Sequence, residues 1–288
     1  MKIEVDRSAG FCFGVKEAIR KAEEELLKGN TIYSLGEMVH NQKEMQRLAD
    51  LGLKTIDHDQ FHKLNNVPVL IRAHGEPPET YLFAKSAGID LIEATCPIVI
   101  RIQDKIKALT TENPDAQIVI AGKKDHPEII GLKGNVAKDV MVTDGTGIPQ
   151  KLDYHKPIYL FVQTTMNPET LEILKEKLYT RLRLAGSGKE NLIIKNRICG
   201  HVANRIPAIK SFCGHHEVII FVSGRNSSNG KSLFAACKSV NSRSHFISSE
   251  QELEGKWFEN VSSVGVSGAT STPTWLLNKV KNTIREFE

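Results

Sequence analysis

The stretch PIYLFVQTTMNPE, residues 157–169, decides how the rest of the chain is read. A short apolar run, PIYLFV, gives way to the polar QTTMNPE and then to a long helical segment ending near Arg183. The same grammar recurs along the chain. TIYSL (31–35) leads through GEMVHN into the helical QKEMQRLADLG, and VPVLIRA (67–73) through HGEPPE into TYLFAKSAG. AQIVIAG (116–122) leads to KKDHPE, EVIIFV (217–222) to SGRNSSNGK, and SSVGV (262–266) to SGATSTP and a final helix. Short β-branched runs alternating with helical segments predict an α/β fold with parallel sheets built from βα units. Ligands of such sheets bind at the carboxyl ends of the strands, where these polar loops lie.

Composition narrows the class. The chain has 288 residues, 40% of them apolar and 25% charged, as in an average globular protein with ample length for a core. The longest clean apolar run, VIIFV at 218–222, is far short of a membrane span, and MKIEVDRSAG carries no apolar signal core, so a cytoplasmic protein without a membrane segment is expected. The net charge of +4 is spread along the chain and only 6% of residues are aromatic, which gives nucleic-acid binding no support. Five cysteines, an odd number, argue for free thiols, metal ligands or a nucleophile rather than a disulfide framework.

The cysteines turn the recurring grammar into a repeat. Cys12 stands 28 residues before His40, Cys96 stands 30 before His126, and Cys199 stands 28 before Ser227. A second loop residue follows each of these: His74 after 34 residues, Thr164 after 38 and Ser271 after 44. Three copies of one plan emerge, starting 84 and then 103 residues apart, a spacing suited to small domains. The expected domains are 1–96, 97–194 and 195–288 in a pseudo-threefold arrangement, with residues 1–13 either at the centre or on the third domain's side. Cys213 and Cys237 fall outside the plan. In RSAGFCFGVKEAIR (7–20), Gly10 and Gly14 flank Cys12 as if to let a thiol at a helix mouth meet something outside its own helix.

Three converging thiolates are soft ligands, suited to zinc, copper(I) or an iron–sulfur cluster. Structural zinc usually takes four protein ligands, and no fourth is evident. Three cysteines on a 4Fe–4S cluster would leave one iron open as a Lewis acid. Around them, His40, His74, His126, Thr164, Ser227, Ser228, Asn229 and Ser271 are short donors at strand ends and helix starts, the means by which proteins hold phosphate oxygens. Glu128, two residues after His126, is a candidate proton source. GRNSSNGKS (224–232) nearly reads as a phosphate-binding P-loop, but five residues rather than four separate its glycines.

GFCFGV, EMVHN, AHG, EATCP, HPE, QTT, NSSN and SGATSTP, in that order and over almost the whole chain, resemble the 4-hydroxy-3-methylbut-2-enyl diphosphate reductase family. These are iron–sulfur enzymes that end the methylerythritol phosphate route to isoprenoids. The resemblance implies three α/β domains around a central 4Fe–4S cluster held by Cys12, Cys96 and Cys199. It places the substrate diphosphate among His40, His74, His126, Ser227, Ser228, Asn229 and Ser271, with Thr164, and secondarily Thr165, near the substrate hydroxyl and Glu128 as the proton source. It also implies an external one-electron donor such as ferredoxin or flavodoxin. The chain departs from the family after the third cysteine: CGHVANRIP keeps Arg205 but has His201, Val202 and Ile206 where Ala, Thr and Gln are usual. An iron–sulfur hydro-lyase, a P-loop-like nucleotide hydrolase and a non-catalytic iron–sulfur sensor are the alternative classes.

Overall fold

The computed structural model describes residues 1–136 and 140–287. The first stretch of chain forms β1 (Lys2–Val5), α1 (Phe13–Leu27), β2 (Ile32–Leu35), α2 (Gln42–Asp50), β3 (Leu53–Ile56) and α3 (His58–Phe61). There follow β4 (Pro68–Ile71), α4 (Pro78–Ser86), β5 (Asp90–Glu93), α5 (Pro97–Glu112), β6 (Gln117–Ala121), α6 (Pro127–Gly134), β7 (Met141–Thr143) and β8 (Ile158–Val162). Next come α7 (Pro168–Leu184), β9 (Leu192–Ile194), α8 (Gly200–Ala203) and α9 (Arg205–Cys213). The last part holds β10 (Val218–Val222), α10 (Ser228–Val240), β11 (Ser244–Ile247), β12 (Ser263–Gly268) and α11 (Thr274–Ile284).

The strands make three four-stranded sheets, ordered β3-β2-β4-β5, β7-β6-β8-β9 and β11-β10-β12-β1. One strand order thus serves all three, and the α/β class with parallel sheets is as the sequence predicts. The first strand of the chain completes the sheet of the last: Lys2–Val5 lies parallel to Ser263–Val266, residue against residue. β5, β9 and β1 hold the same place in their sheets, and each leads directly into one of the cysteines at 96, 199 and 12.

The chain divides into two compact units, residues 1–57 with 204–288, and residues 58–203. In the second, alternate residues of β6 and β8 enter two different cores. Val119, Ala121, Ile158, Leu160 and Val162 pack with Leu171, Leu174, Leu178 and Leu182 of α7. Ile118, Ile120 and Phe161 pack with Ile102 and Ile106 of α5 and with Ile129 and Leu132 of α6. A sheet covered on both faces needs apolar residues at every position, which is why PIYLFV reads as a run and not an alternation. α7 is well specified: Asn167 caps it by accepting from the N–H groups of Glu169 and Thr170, Pro168 sits in the first turn, and the buried leucines recur at helical spacing. The first unit repeats this design, with Val218, Ile220 and Val222 of β10 in one core and Ile219 and Phe221 in another. Among the described residues no helix is long and apolar enough to cross a membrane.

Candidate active site

The three cysteines of the repeat have the same local setting. Cys12 is the N-cap of α1, Cys96 the N-cap of α5, and Cys199 immediately precedes α8. Each backbone carbonyl accepts the helical bond from four residues on: Lys16 to Cys12 (2.9 Å), Ile100 to Cys96 (3.0 Å) and Ala203 to Cys199 (2.9 Å). Each backbone N–H donates to a loop carbonyl just past β12, β4 or β8: Cys12 to Thr270 (3.4 Å), Cys96 to Ala73 (3.0 Å) and Cys199 to Thr164 (2.9 Å). The thiols are half-buried, whereas Cys213 and Cys237 are buried among Ile209, Phe221 and Leu233. Gly10 has φ +109°, the left-handed conformation that brings the chain round to Cys12, while Gly14 is simply a buried residue of α1. Among the described residues no group of three or more His, Cys, Asp or Glu side chains forms a ready metal site. Cys12 belongs to one compact unit, and Cys96 and Cys199 to the other.

In the second unit the loops after β4, β6 and β8 assemble a set of titratable and polar groups. His126 is the N-cap of α6, its Nδ1 accepting from the Glu128 N–H at 3.2 Å, so that its other ring nitrogen carries the proton. Glu128 is only 1% exposed. Its Oε1 accepts from the Thr164 N–H at 2.7 Å and its Oε2 from the Thr164 hydroxyl at 2.7 Å. Burial pushes the Glu128 carboxyl up from 4.5 to about 7, outweighing the two bonds from Thr164, which favour the charged form. The His74 and His126 rings meet edge to face, their centroids 5.2 Å apart.

Gln163, which the sequence reading passed over, ties these loops together. Its backbone N–H donates to Ala121, its Oε1 accepts from the Lys123 N–H at 3.0 Å, and its Nε2 donates to the Thr165 hydroxyl at 2.8 Å. Thr165 is exposed, while Thr164 is buried against Glu128. The only hint in the sequence was the position of Gln163, between the last residue of a strand and the paired threonines.

In the first unit the polar loops after β2, β10 and β12 meet. Ser227 is the N-cap of α10, its Oγ accepting from the Gly230 N–H at 3.0 Å, and this Oγ lies 3.4 Å from the Ser271 hydroxyl. Asn229 Oδ1 accepts from both the N–H and the hydroxyl of Thr270, at 3.2 and 3.0 Å, and Ser228 opens α10. A Cβ at Gly224 would fall 2.0 Å from the His40 carbonyl oxygen, so the loop after β10 lies directly on the His40 backbone. That contact, together with the place of Gly230 in the first turn of α10, accounts for the glycines of GRNSSNGKS without a phosphate-binding loop. Seryl and amide donors gathered at the start of a thirteen-residue helix suit an anion. In the atypical segment after Cys199, His201 is exposed, Ile206 packs against the buried Cys213–Cys237 core, and Arg205 is buried.

Known proteins resemble this chain in sequence and in fold. A family model described as "LytB protein" matches residues 3–285. A protein of Bacteroides thetaiotaomicron named 4-hydroxy-3-methylbut-2-enyl diphosphate reductase is 46% identical over 287 residues, covering 99% of this chain and 98% of its own. One of the same name from Bacteroides fragilis is 45% identical over 291 residues, with the same coverage. A solved structure of (E)-4-hydroxy-3-methyl-but-2-enyl diphosphate reductase, described as the terminal enzyme of the non-mevalonate pathway, superposes with a TM-score of 0.76 at 32% identity, covering 99% of this chain and all of its own. With nearly the whole length matched in sequence and in fold, the chain belongs to the LytB family.

Proposed function

We propose that the chain reduces (E)-4-hydroxy-3-methylbut-2-enyl diphosphate to isopentenyl and dimethylallyl diphosphate. The reaction removes the terminal hydroxyl as water and consumes two electrons and two protons. The proton-holding pair of Glu128 and Thr164 carries this reading, because a buried carboxyl that keeps its proton to about pH 7 is equipped to protonate a departing oxygen.

The donor set suits an iron–sulfur group: Cys12, Cys96 and Cys199 take part in no disulfide, are half-buried and are alike in backbone setting. Held by these three thiols, a 4Fe–4S cluster would supply electrons, drawn from an external carrier such as a ferredoxin or flavodoxin, and an open iron acting as Lewis acid. The protein's own residues do the rest. His40, His74, His126, Ser227, Ser228, Asn229 and Ser271 bind the diphosphate with neutral or cationic donors. Anchoring that end fixes where the far hydroxyl lies, which turns binding energy into orientation. Thr164 hydrogen-bonds the substrate hydroxyl. When Glu128 is protonated its proton points to Thr164 Oγ1, and the Thr164 hydroxyl is then free to donate onward to the leaving oxygen. Thr165 stands beside this relay, its hydroxyl engaged by Gln163.

Anaerobic turnover of the allylic diphosphate with a chemically reduced one-electron dye tests the proposal. Formation of the two isoprenoid diphosphates supports it. Hydration or dehydration that proceeds without reductant points instead to a hydro-lyase.

A further inference from the structure

Arg205 opens α9, is 4% exposed, and lies at the ends of two neighbouring parallel strands. Its Nη1 donates to the Ser8 hydroxyl at 2.5 Å. Its Nη2 donates to the Ser267 hydroxyl at 2.8 Å and the Gly268 carbonyl at 3.1 Å, and stands 2.8 Å from Asp6 Oδ2. Asp6, 5% exposed, is saturated in turn: Oδ1 accepts from the N–H and hydroxyl of Ser8, and Oδ2 from the Ser267 hydroxyl. Burial alone would raise the Asp6 carboxyl, but the Arg205 charge and these bonds hold it below the usual range.

Asp6 is the first residue after β1, and the chain from it runs through Ser8 and Gly10 to Cys12. Ser267 and Gly268 close β12, and the chain from them runs to Thr270, Ser271 and Thr272. The two arms meet again at their far ends, where Cys12 donates to Thr270 and Thr270 donates to Asn229. One guanidinium therefore joins the base of the arm carrying a thiol to the base of the loop carrying Ser271. As a device for stability alone the ion pair is poor, since two charges are taken from water and the buried Nε has no partner among the described residues.

We infer that Arg205, through Asp6, is a positioning residue that sets the Cys12 arm and the 270–272 loop in one register, so that the thiol and the anion-binding loop keep a fixed geometry. The inference rests on the function proposed above. A fork that reaches four acceptors on two strands explains why arginine is required: lysine would restore the charge but not the span.

The test compares anaerobic holoenzymes of wild type, Arg205→Lys, Arg205→Met and the double variant Asp6→Leu/Arg205→Met. Melting temperature, binding of inorganic diphosphate by calorimetry, KM against kcat, and the low-temperature EPR spectrum of the reduced protein are read for each. Arg205→Met leaves a buried carboxylate unpaired and melts low, whereas the apolar pair recovers to within about 4 °C of wild type. The double variant is nevertheless expected to bind inorganic diphosphate about tenfold more weakly, with KM raised alike and an altered EPR spectrum, and Arg205→Lys to fall between. A double variant with wild-type melting, diphosphate affinity and EPR spectrum would overturn the inference and leave Arg205 a purely structural residue. Diphosphate binding needs no turnover, so it decides the point even if the reductase reading fails on wild-type protein.

Discussion

Replacing Glu128 with glutamine keeps the shape of the side chain and removes its titration. The glutamine Oε1 can still accept from the Thr164 N–H, and the Thr164 hydroxyl can turn to accept from the new amide. In wild type the carboxyl moves from 4.5 to about 7 on folding because it is buried. Below pH 4.5 both folded and unfolded chains hold the proton and nothing is lost. As pH rises through 7 the unfolded chain ionises first, so wild-type stability falls and then levels off, by about 3 kcal/mol in all at about 1.4 kcal/mol per pH unit. Glutamine takes no part in this, and any difference in its packing is constant with pH. The stability of the variant relative to wild type is therefore expected to rise by about 2.5 kcal/mol between about pH 5 and pH 8 in urea unfolding. Turnover of the allylic diphosphate should fall by about 10²- to 10⁴-fold in the same protein. A gap that stays flat with pH would refute the burial argument, and near wild-type turnover would remove Glu128 as the proton source.

Thr164→Val takes away the hydroxyl that steadies the ionised carboxylate. It should cost about 1–3 kcal/mol in urea unfolding, push Glu128 higher still and, with the relay to the leaving oxygen gone, lower turnover of the allylic diphosphate by about 10²-fold or more. Gly224→Ala drives a methyl into the His40 carbonyl, a backbone atom that cannot swing aside. Inorganic diphosphate should bind on the order of tenfold more weakly by calorimetry, with about 1–3 kcal/mol lost in stability. Cys199→Ser should lose iron on anaerobic purification, and iron and sulfide analysis at the wild-type level would strike Cys199 from the ligand set.

Much of this molecule could be read from its sequence because local chemistry wrote it. Strands buried on both faces appear as apolar runs, and their loops announce themselves by polarity, so PIYLFV, AQIVIAG and EVIIFV all proved to be central strands. The matched settings of Cys12, Cys96 and Cys199 follow from the spacing that first singled them out. Long-range partners left no such trace. The repeat puts residues 1–13 at the centre or on the third domain's side, but nothing in KIEV singles out Ser263–Val266 as its partner, since parallel pairing depends on register across the whole chain. Arg205 could be noticed, but its tie to Asp6 spans 199 residues, and Gln163 earns its place through bonds to Lys123, 40 residues away. Gly224 looked like part of a nucleotide motif because sequence shows the glycine and hides the carbonyl that requires it.

The pairing of β1 with β12 also sets a timetable. Residues 1–13 leave the ribosome about 250 residues ahead of the strand they lie against and of the Thr270 carbonyl that receives the Cys12 N–H. At ordinary elongation speeds the amino-terminal arm must wait on the order of tens of seconds with no native partner. A nascent chain can finish its two other sheets in that interval while this thiol dangles. The Cys12 arm therefore reaches its native setting only after Thr270 has been made, however early its own residues were released.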